Sequence, residues 1–433
     1  MSSKVLNARI AAGQPGTAAS SIPFVEYDLD NGLHVILSQS EAVPLVVTNL
    51  WYHVGSKDEH PSRTGFAHLF EHMMFQGSRN IGKAEHFKYI QRSGGLLNAT
   101  TSVDRTNYFE TLPSSELELA LWLESDRMLA LEVTQETFEN QRAVVKEERR
   151  QRYENRPYGT VWETIVPHLF PTGGYHWTTI GSMEHLDAAT IDDVRAFHAE
   201  FYKPNNCSLT LVGNFDERLA RPLIEKYFGS IPRGAEVNRP PQNLSPIKDN
   251  VRLEIHDAIK LQAVYIATQA PPLYARDGYA LDLLAHILDT GRSSRLYQEL
   301  IYRREIARDV EAYNYSNEKA GAFVLSAKVQ MSSSPAEVEA ALWGEIKKLQ
   351  DSPVPEQELT KVKNKVEMAT VSGMTELGRR ADQLQRGYTY RRDTDTCNRE
   401  LDVYRSITPQ EIQHVAITYL GKAASVVAHV LPR

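Results

Sequence analysis

The sequence predicts an α+β protein of two homologous α/β domains in tandem, each an antiparallel-rich sheet with packed helices. Three observations carry this expectation. The chain has 433 residues, too many for one ordinary core. Strand-like and helix-like segments alternate through its first half, and the order returns after a polar stretch. The helical stretch FAHLFEHMMFQG (66–77) has a counterpart in ALDLLAHILDTG (280–291); both end in Gly and fall at matching places in the two halves.

Residues 1–21 read as a small-residue tail, expected to be poorly ordered, without the apolar core of a signal peptide. The first domain is expected over 22–232. The turn Asp30-Asn31-Gly32 precedes the strand LHVILSQS, and PLVVTNLWYHVGS follows as a second β-rich run. SSELELALWLESDRMLAL and TFENQRAVVKEERRQRYE are long helical patterns with few breakers, and CSLTLVGNF is a strand. Residues 233–250, RGAEVNRPPQNLSPIKDN, hold almost nothing to bury and read as the linker. The second domain, 251–433, opens on β-like VRLEIHDAIKLQAVYIATQ, continues into the helix DGYALDLLAHILDTGRSSRLYQEL and closes on the strand ASVVAHVL.

Composition narrows the function. Hydrophobic residues make up 42% and charged residues 24%, which is ordinary for a soluble globular protein. A net charge of -7 argues against nucleic acid as the main partner. The two cysteines, Cys207 and Cys397, lie far apart and outside any C-x-x-C pattern, so neither a disulfide framework nor a thiolate metal site is expected. No apolar run reaches the ~18 to 20 residues that span a membrane. The expectation is a cytoplasmic protein, or a periplasmic one if a signal peptide has been removed.

The chemistry concentrates in HLFEHMMFQG, from His68. On a helix, positions i and i+4 share a face, so His68 and His72 can both point at one ion. Glu71 lies beside the pair, close enough to reach a metal-bound water, where a carboxylate can take the proton. This is H-E-x-x-H with the order inverted. Two histidines leave a catalytic zinc site incomplete, so a third ligand is required. In the second copy Asp282 stands for His68 and Ala285 for Glu71; only His286 keeps its counterpart, His72. One imidazole makes no metal site, and His286 reads as a buried or hydrogen-bonded histidine.

RTGFAHLFEHMMFQGS resembles the active-site helix of the M16 (pitrilysin-like) metallopeptidases, the inverzincins, and the likeness extends over about residues 22–433. In that family a glutamate some 75 residues downstream completes the metal site, in a pattern like E-R-x-V-V-x-x-E. NQRAVVKEERR (140–150) matches it with Glu148 as ligand. Glu147 competes; helix geometry favours Glu148, which shares a face with Val144 and Gln141. The family usually has a glutamate where Gln141 stands, and an amide still hydrogen-bonds around the site but supplies no charge. GGLLNATTSVDRTNYFETLP resembles the family's edge strand that pairs with an extended substrate, which carries over to Asn98 and Ala99.

One departure is informative. Active members carry an Arg and a Tyr in the second half, donors placed where negative charge develops. In SSRLYQELIYRREIARDV the corresponding positions are Ile301 and Arg308. Arg295 and Tyr302 have the right separation but fall one element too early, and Arg303, Arg304 and Arg308 read as a solvated basic face. The resemblance therefore implies a zinc endopeptidase with one Zn²⁺ per chain held by His68, His72 and Glu148, and Glu71 as general base. It also implies a heterodimer, in preference to a homodimer, with a sister chain supplying Arg and Tyr. The two half-shells would close a chamber around short or unfolded peptides. A non-catalytic assembly subunit and a peptide-binding module are the alternatives from other classes.

Overall fold

The computed structural model describes residues 21–239, 242 and 244–433; the expected tail, 1–21, lies outside them apart from Ser21. In chain order the first half gives β1 (Val25–Asp28), β2 (His34–Gln39), β3 (Leu45–Tyr52), α1 (Phe66–Met73), α2 (Glu85–Arg92), β4 (Leu96–Thr101), β5 (Thr106–Pro113), α3 (Leu117–Leu129), α4 (Gln135–Arg149), α5 (Val161–Leu169), α6 (Met183–Ala188), α7 (Ile191–Phe201), β6 (Cys207–Gly213) and α8 (Glu217–Phe228). The second half gives β7 (Val251–Asp257), β8 (Ala263–Ala270), α9 (Arg276–Asp289), β9 (Ala307–Ser316), β10 (Gly321–Val329), α10 (Pro335–Asp351), α11 (Glu356–Thr375), α12 (Leu377–Arg391), α13 (Thr396–Ser406), α14 (Pro409–Ile417) and β11 (Ser425–Pro432).

The two sheets repeat one topology. The first runs β1-β2-β6-β3-β5-β4 and the second β7-β11-β8-β10-β9. All pairings are antiparallel except β2 with β6 and its equivalent, β11 with β7. Without β1 the orders correspond strand for strand, and α1 follows β3 as α9 follows β8. The duplication read from the two helical stretches is thus a duplication of whole sheets. Each sheet ends in a short-range hairpin whose outer strand, β4 or β9, has an unpaired edge.

The compact units are not the two contiguous halves expected from the linker. Among the described residues, one unit gathers those of Met1–Glu147, Thr179–Pro240 and Thr370–Arg399; the other gathers those of Glu148–Thr178, Pro241–Ala369 and Glu400–Arg433. The reason is packing. In the first unit α12 lies on β3 and β6, and in the second α5 lies on β8 and β11. The contacts under α12 are half polar: Gln385 Nε2 donates to the Asn49 and Ser208 carbonyls at 2.8 and 3.0 Å, Asn49 Nδ2 to Asp382 at 2.8 Å, and Arg380 Nε to Ser38 Oγ at 2.9 Å. Ile36, Val47 and Val212 meet Ala381 and Leu384 beside them. The opposite face of the second sheet packs its Ile266, Phe323 and Leu325 on α9, α10 and α14 through Leu284, Leu342 and Val415.

Candidate metal centre

Two devices fix the start of α1. Gly65 precedes it at φ 85, where a Cβ would also stand 2.6 Å from the Ile180 carbonyl oxygen, so only glycine fits. The buried Glu59 carboxylate then accepts the N–H groups of Gly65 and Ala67 at 3.0 and 2.7 Å, doing the work of a cap and placing negative charge at the helix N-terminus. Phe66, Ala67, Leu69, Phe70 and Met73 are buried. Phe66 and Phe70 pack on Phe197 of α7. The other face is left to His68 and His72, whose ring centroids lie 4.8 Å apart.

α4 brings the third donor. It buries Phe138 and Val145, leaves Gln141 and Glu148 half-buried and exposes Glu147. One donor atom from each of His68, His72 and Glu148 lies within 4.8 Å of the others. Tetrahedral ligands at 2.0 to 2.2 Å from an ion stand about 3.3 Å apart, a separation within the 4.8 Å bound on these donors. Two imidazoles and a carboxylate suit zinc and its neighbours in the first transition row. Glu148 is the first residue counted to the second unit, yet it belongs to the same continuous helix as Phe138 and Val145. Arg152, on the π-helical turn Arg150–Glu154 that extends α4, pairs with Glu148 Oε1 at 2.8 Å.

Glu71 is buried beside the donors, and Thr101 Oγ1 donates to its Oε2 at 2.5 Å. Thr101 ends β4, so the acid and the open strand edge share one contact. Along that edge Asn98 is exposed and Ala99 buried, and the Asn98 side-chain carbonyl accepts the Ala99 N–H at 2.9 Å. An added strand would offer its own carbonyl in place of the asparagine's. Sequence alone assigns Thr101 no role, because thirty positions separate it from Glu71.

Behind β4 lies a buried charge network that no sequence motif announces. Arg127 Nε donates to Glu124 Oε2 at 2.9 Å, and Nη2 donates to the other oxygen of the same carboxylate. Glu110 of β5 stands 3.7 Å from Nη2, with His86 3.3 Å from its Oε1. Burial pushes the Glu124 carboxyl up to about 8, with Glu110 adding and Arg127 opposing. Burial and then Arg127 push His86 down to about 3. With a proton held on Glu124 and His86 neutral, the cluster around the Arg127 guanidinium stays close to electroneutral. His86, Glu110 and Glu124 also bring donor atoms within 4.8 Å. There the guanidinium already serves as the cation, and a metal would meet its repulsion. Arg127 also lies over the Tyr108 ring at 4.3 Å, and Tyr108 is the cross-strand partner of Ala99.

In the second half, Arg295 is held by both oxygens of Glu358 at 3.0 and 2.7 Å, and Tyr302 is exposed. Ile301 packs against the core and Arg308 is exposed at the start of β9. Arg303 pairs with Glu299 and Arg304 with Glu337, the solvated face expected for them. His286 Nδ1 lies 2.6 Å from Thr290 Oγ1, a local hydrogen bond.

This duplicated sheet, with an open-edged strand beside a His-x-x-Glu-His helix, is the architecture of a zinc-peptidase class. The profile described as insulinase (peptidase family M16) matches residues 34–172, and that of the peptidase M16 inactive domain matches 188–366. The zinc protease PqqE of Helicobacter pylori is 30% identical over 339 residues, 77% of this chain and 76% of that protein. An uncharacterised zinc protease of Streptomyces coelicolor is 24% identical over 92% of this chain and 87% of its own. The chain belongs to peptidase family M16. The crystal structure of a protease from Helicobacter pylori superposes with a TM-score of 0.90 at 26% identity, covering 95% of this chain and all of that one. The periplasmic protease PqqL of Escherichia coli shares the fold at a TM-score of 0.78 and 17% identity; 94% of this chain matches 47% of that one.

Proposed function

We propose that the chain is the metal-bearing subunit of a zinc endopeptidase that hydrolyses short or unfolded peptides bound as an added strand. The observation that carries this reading is the convergence of His68, His72 and Glu148 around one point, with Glu71 and the open β4 edge beside it. The inactive-domain profile falls on 188–366, which holds none of these residues.

His68, His72 and Glu148 would hold the zinc ion, which when bound would supply a Lewis acid and make an attacking water more acidic. Glu71 takes the proton of the attacking water on a carboxylate oxygen and passes it to the leaving amine. Thr101 keeps that carboxylate aimed, and Gln141 lies two turns before Glu148 on α4 as an uncharged neighbour. Asn98 and Ala99 present main-chain groups that hold the peptide extended across the site, so sequence selectivity from this edge is loose. Ile301 and Arg308 offer no Arg/Tyr pair for the developing oxyanion, so a sister chain of similar fold is assigned that task, forming a heterodimer.

The test is cleavage of an unstructured quenched-fluorescent peptide, with bound zinc measured on the same sample. Glu71→Gln should keep about one zinc per chain and lose roughly 10²- to 10⁴-fold in turnover. Undiminished cleavage by that variant would overturn the base assignment. Full-rate cleavage by the lone chain would overturn the heterodimer.

A further inference from the structure

Glu71 and Thr101 meet although they belong to different elements, α1 and β4, and the segment 55–59 ties both elements down. On one side, Ser56 and Lys57 donate their N–H groups to the carbonyls of Ser102 and Val103 at 3.2 and 2.9 Å. These carbonyls belong to the turn 102–105 that joins β4 to β5. A Cβ on Gly55 would stand 2.5 Å from the Ser102 carbonyl oxygen, so only glycine allows the approach. On the other side, Glu59 caps α1 through the N–H groups of Gly65 and Ala67. The turn is itself braced. Ser102 Oγ accepts the N–H groups of Asp104 and Arg105 at 3.2 and 3.1 Å, and the Ser102 N–H donates to the Arg105 carbonyl at 2.8 Å.

Lys57 stands at the centre of this splice. Its side chain is only 2% exposed, and lysines are buried to that degree only when paired. Nζ donates to the Asp104 main-chain carbonyl at 3.1 Å and lies 3.4 Å from the Asp104 carboxylate and 3.5 Å from that of Asp58. Asp58 in turn accepts the Gly55 N–H at 3.0 Å, and Arg239 Nε lies 3.8 Å from its other oxygen. Two cations thus face two carboxylates. A buried ion pair often gives no more stability than apolar residues of the same volume, so what this one supplies is direction: its bonds admit one setting of the turn. We propose that Lys57 is a positioning residue, which clamps the turn 102–105 against 55–59 and so sets where Thr101 meets Glu71. Thr101 directly precedes the turn, and a shift of the turn moves its hydroxyl and the β4 edge together. The inference rests on the peptidase reading for its kinetic part alone.

Lys57→Met alone would strand buried carboxylates and threaten the fold, so the test combines Lys57→Met with Asp104→Asn, which removes one charge of each sign. In the full zinc-loaded chain this pair of substitutions should lower kcat on an unstructured peptide about tenfold, with bound zinc unchanged. With Thr101→Val already present it should lower kcat less than about twofold, because both changes act through one contact. Amide hydrogen exchange is followed on the same proteins without peptide. Protection over 98–105 should fall about tenfold while β2 and β6 keep theirs. Equal kcat losses with and without Thr101→Val, or unchanged protection over 98–105, would overturn the inference. A wild type that cleaves no peptide would remove the peptidase reading, and the exchange over 98–105 would then decide by itself whether Lys57 clamps the edge.

Discussion

Arg127→Met tests the buried network most directly. The guanidinium and Glu124 are essentially without solvent exposure, and the pair is bidentate. Removing one partner of a buried pair leaves the other uncompensated, at a cost of about 3 to 5 kcal/mol. Met replaces most of the stem's volume, so little of this is cavity. Loss of the ring contacts to Phe75 and Tyr108, at 5.1 and 4.3 Å, adds about 0.5 to 2 kcal/mol. Protonation relieves part of the cost, because the Glu124 carboxyl already sits at about 8 and loses its charge readily. The expected net loss is about 3 kcal/mol at pH 7, a large share of the 5 to 15 kcal/mol typical of a domain. Urea unfolding of the wild type, Arg127→Met, Glu124→Gln and the double variant gives the coupling directly. The double variant should be about 1 to 2 kcal/mol more stable than Arg127→Met alone. A loss below about 1 kcal/mol, or strict additivity, would refute the network reading.

Two further outcomes follow from the same geometry. Thr101→Val should lower kcat about tenfold through the lost hydrogen bond to Glu71, with KM and bound zinc nearly unchanged, and Thr101→Ser should restore most of it; equal losses in Val and Ser would remove the positioning role. The pH dependence of stability should show opposing slopes. Glu124, raised from 4.5 to about 8, contributes stability below about 4.5 that is lost as pH rises to about 8. His86, lowered from 6.5 to about 3, contributes stability above about 6.5 that is lost as pH falls to about 3. Between about 4.5 and 6.5 the two cancel, so Glu124→Gln should abolish a decline confined to about pH 6.5–8. A decline that survives the substitution belongs to another group.

The sequence made some parts visible and hid others for physical reasons. The helix α1 was legible because spacing alone puts His68 and His72 on one face, and its apolar remainder, Phe66 to Met73, spells the buried side; it ends at Met73, short of the Gly77 that closes the twelve-residue stretch. The duplication was legible in ALDLLAHILDTG because α9 keeps the place of α1 in the order of elements while losing its donors. The assignment of α5 and α12 was not legible. α12, LGRRADQLQRGYTYR, meets its sheet through Arg380, Asp382 and Gln385 as well as Ala381 and Leu384, and so short an apolar stripe among polar contacts does not say which sheet the helix covers. Arg127 was hidden likewise, since a lone arginine in a helix reads as solvated until Glu124 and Glu110 are brought around it. Thr101 needed the third dimension, because thirty positions separate it from Glu71.

The placement of α12 bears on how the protein is made. Ribosomes add roughly 5 to 20 residues per second, so β6 emerges roughly ten to thirty seconds before the helix that covers it. Throughout that interval the nascent first sheet presents a bare face to the cytosol and its chaperones. The face carries Ser38, Asn49 and Ser208 as well as Ile36 and Val47, and its polar half can stay hydrated while synthesis continues. A ribosome that stalls anywhere between the linker and Leu377 releases a product whose first sheet can never be closed. Cutting the gene at the linker has the same consequence, and the two fragments would have to be translated together and meet before either became a finished body.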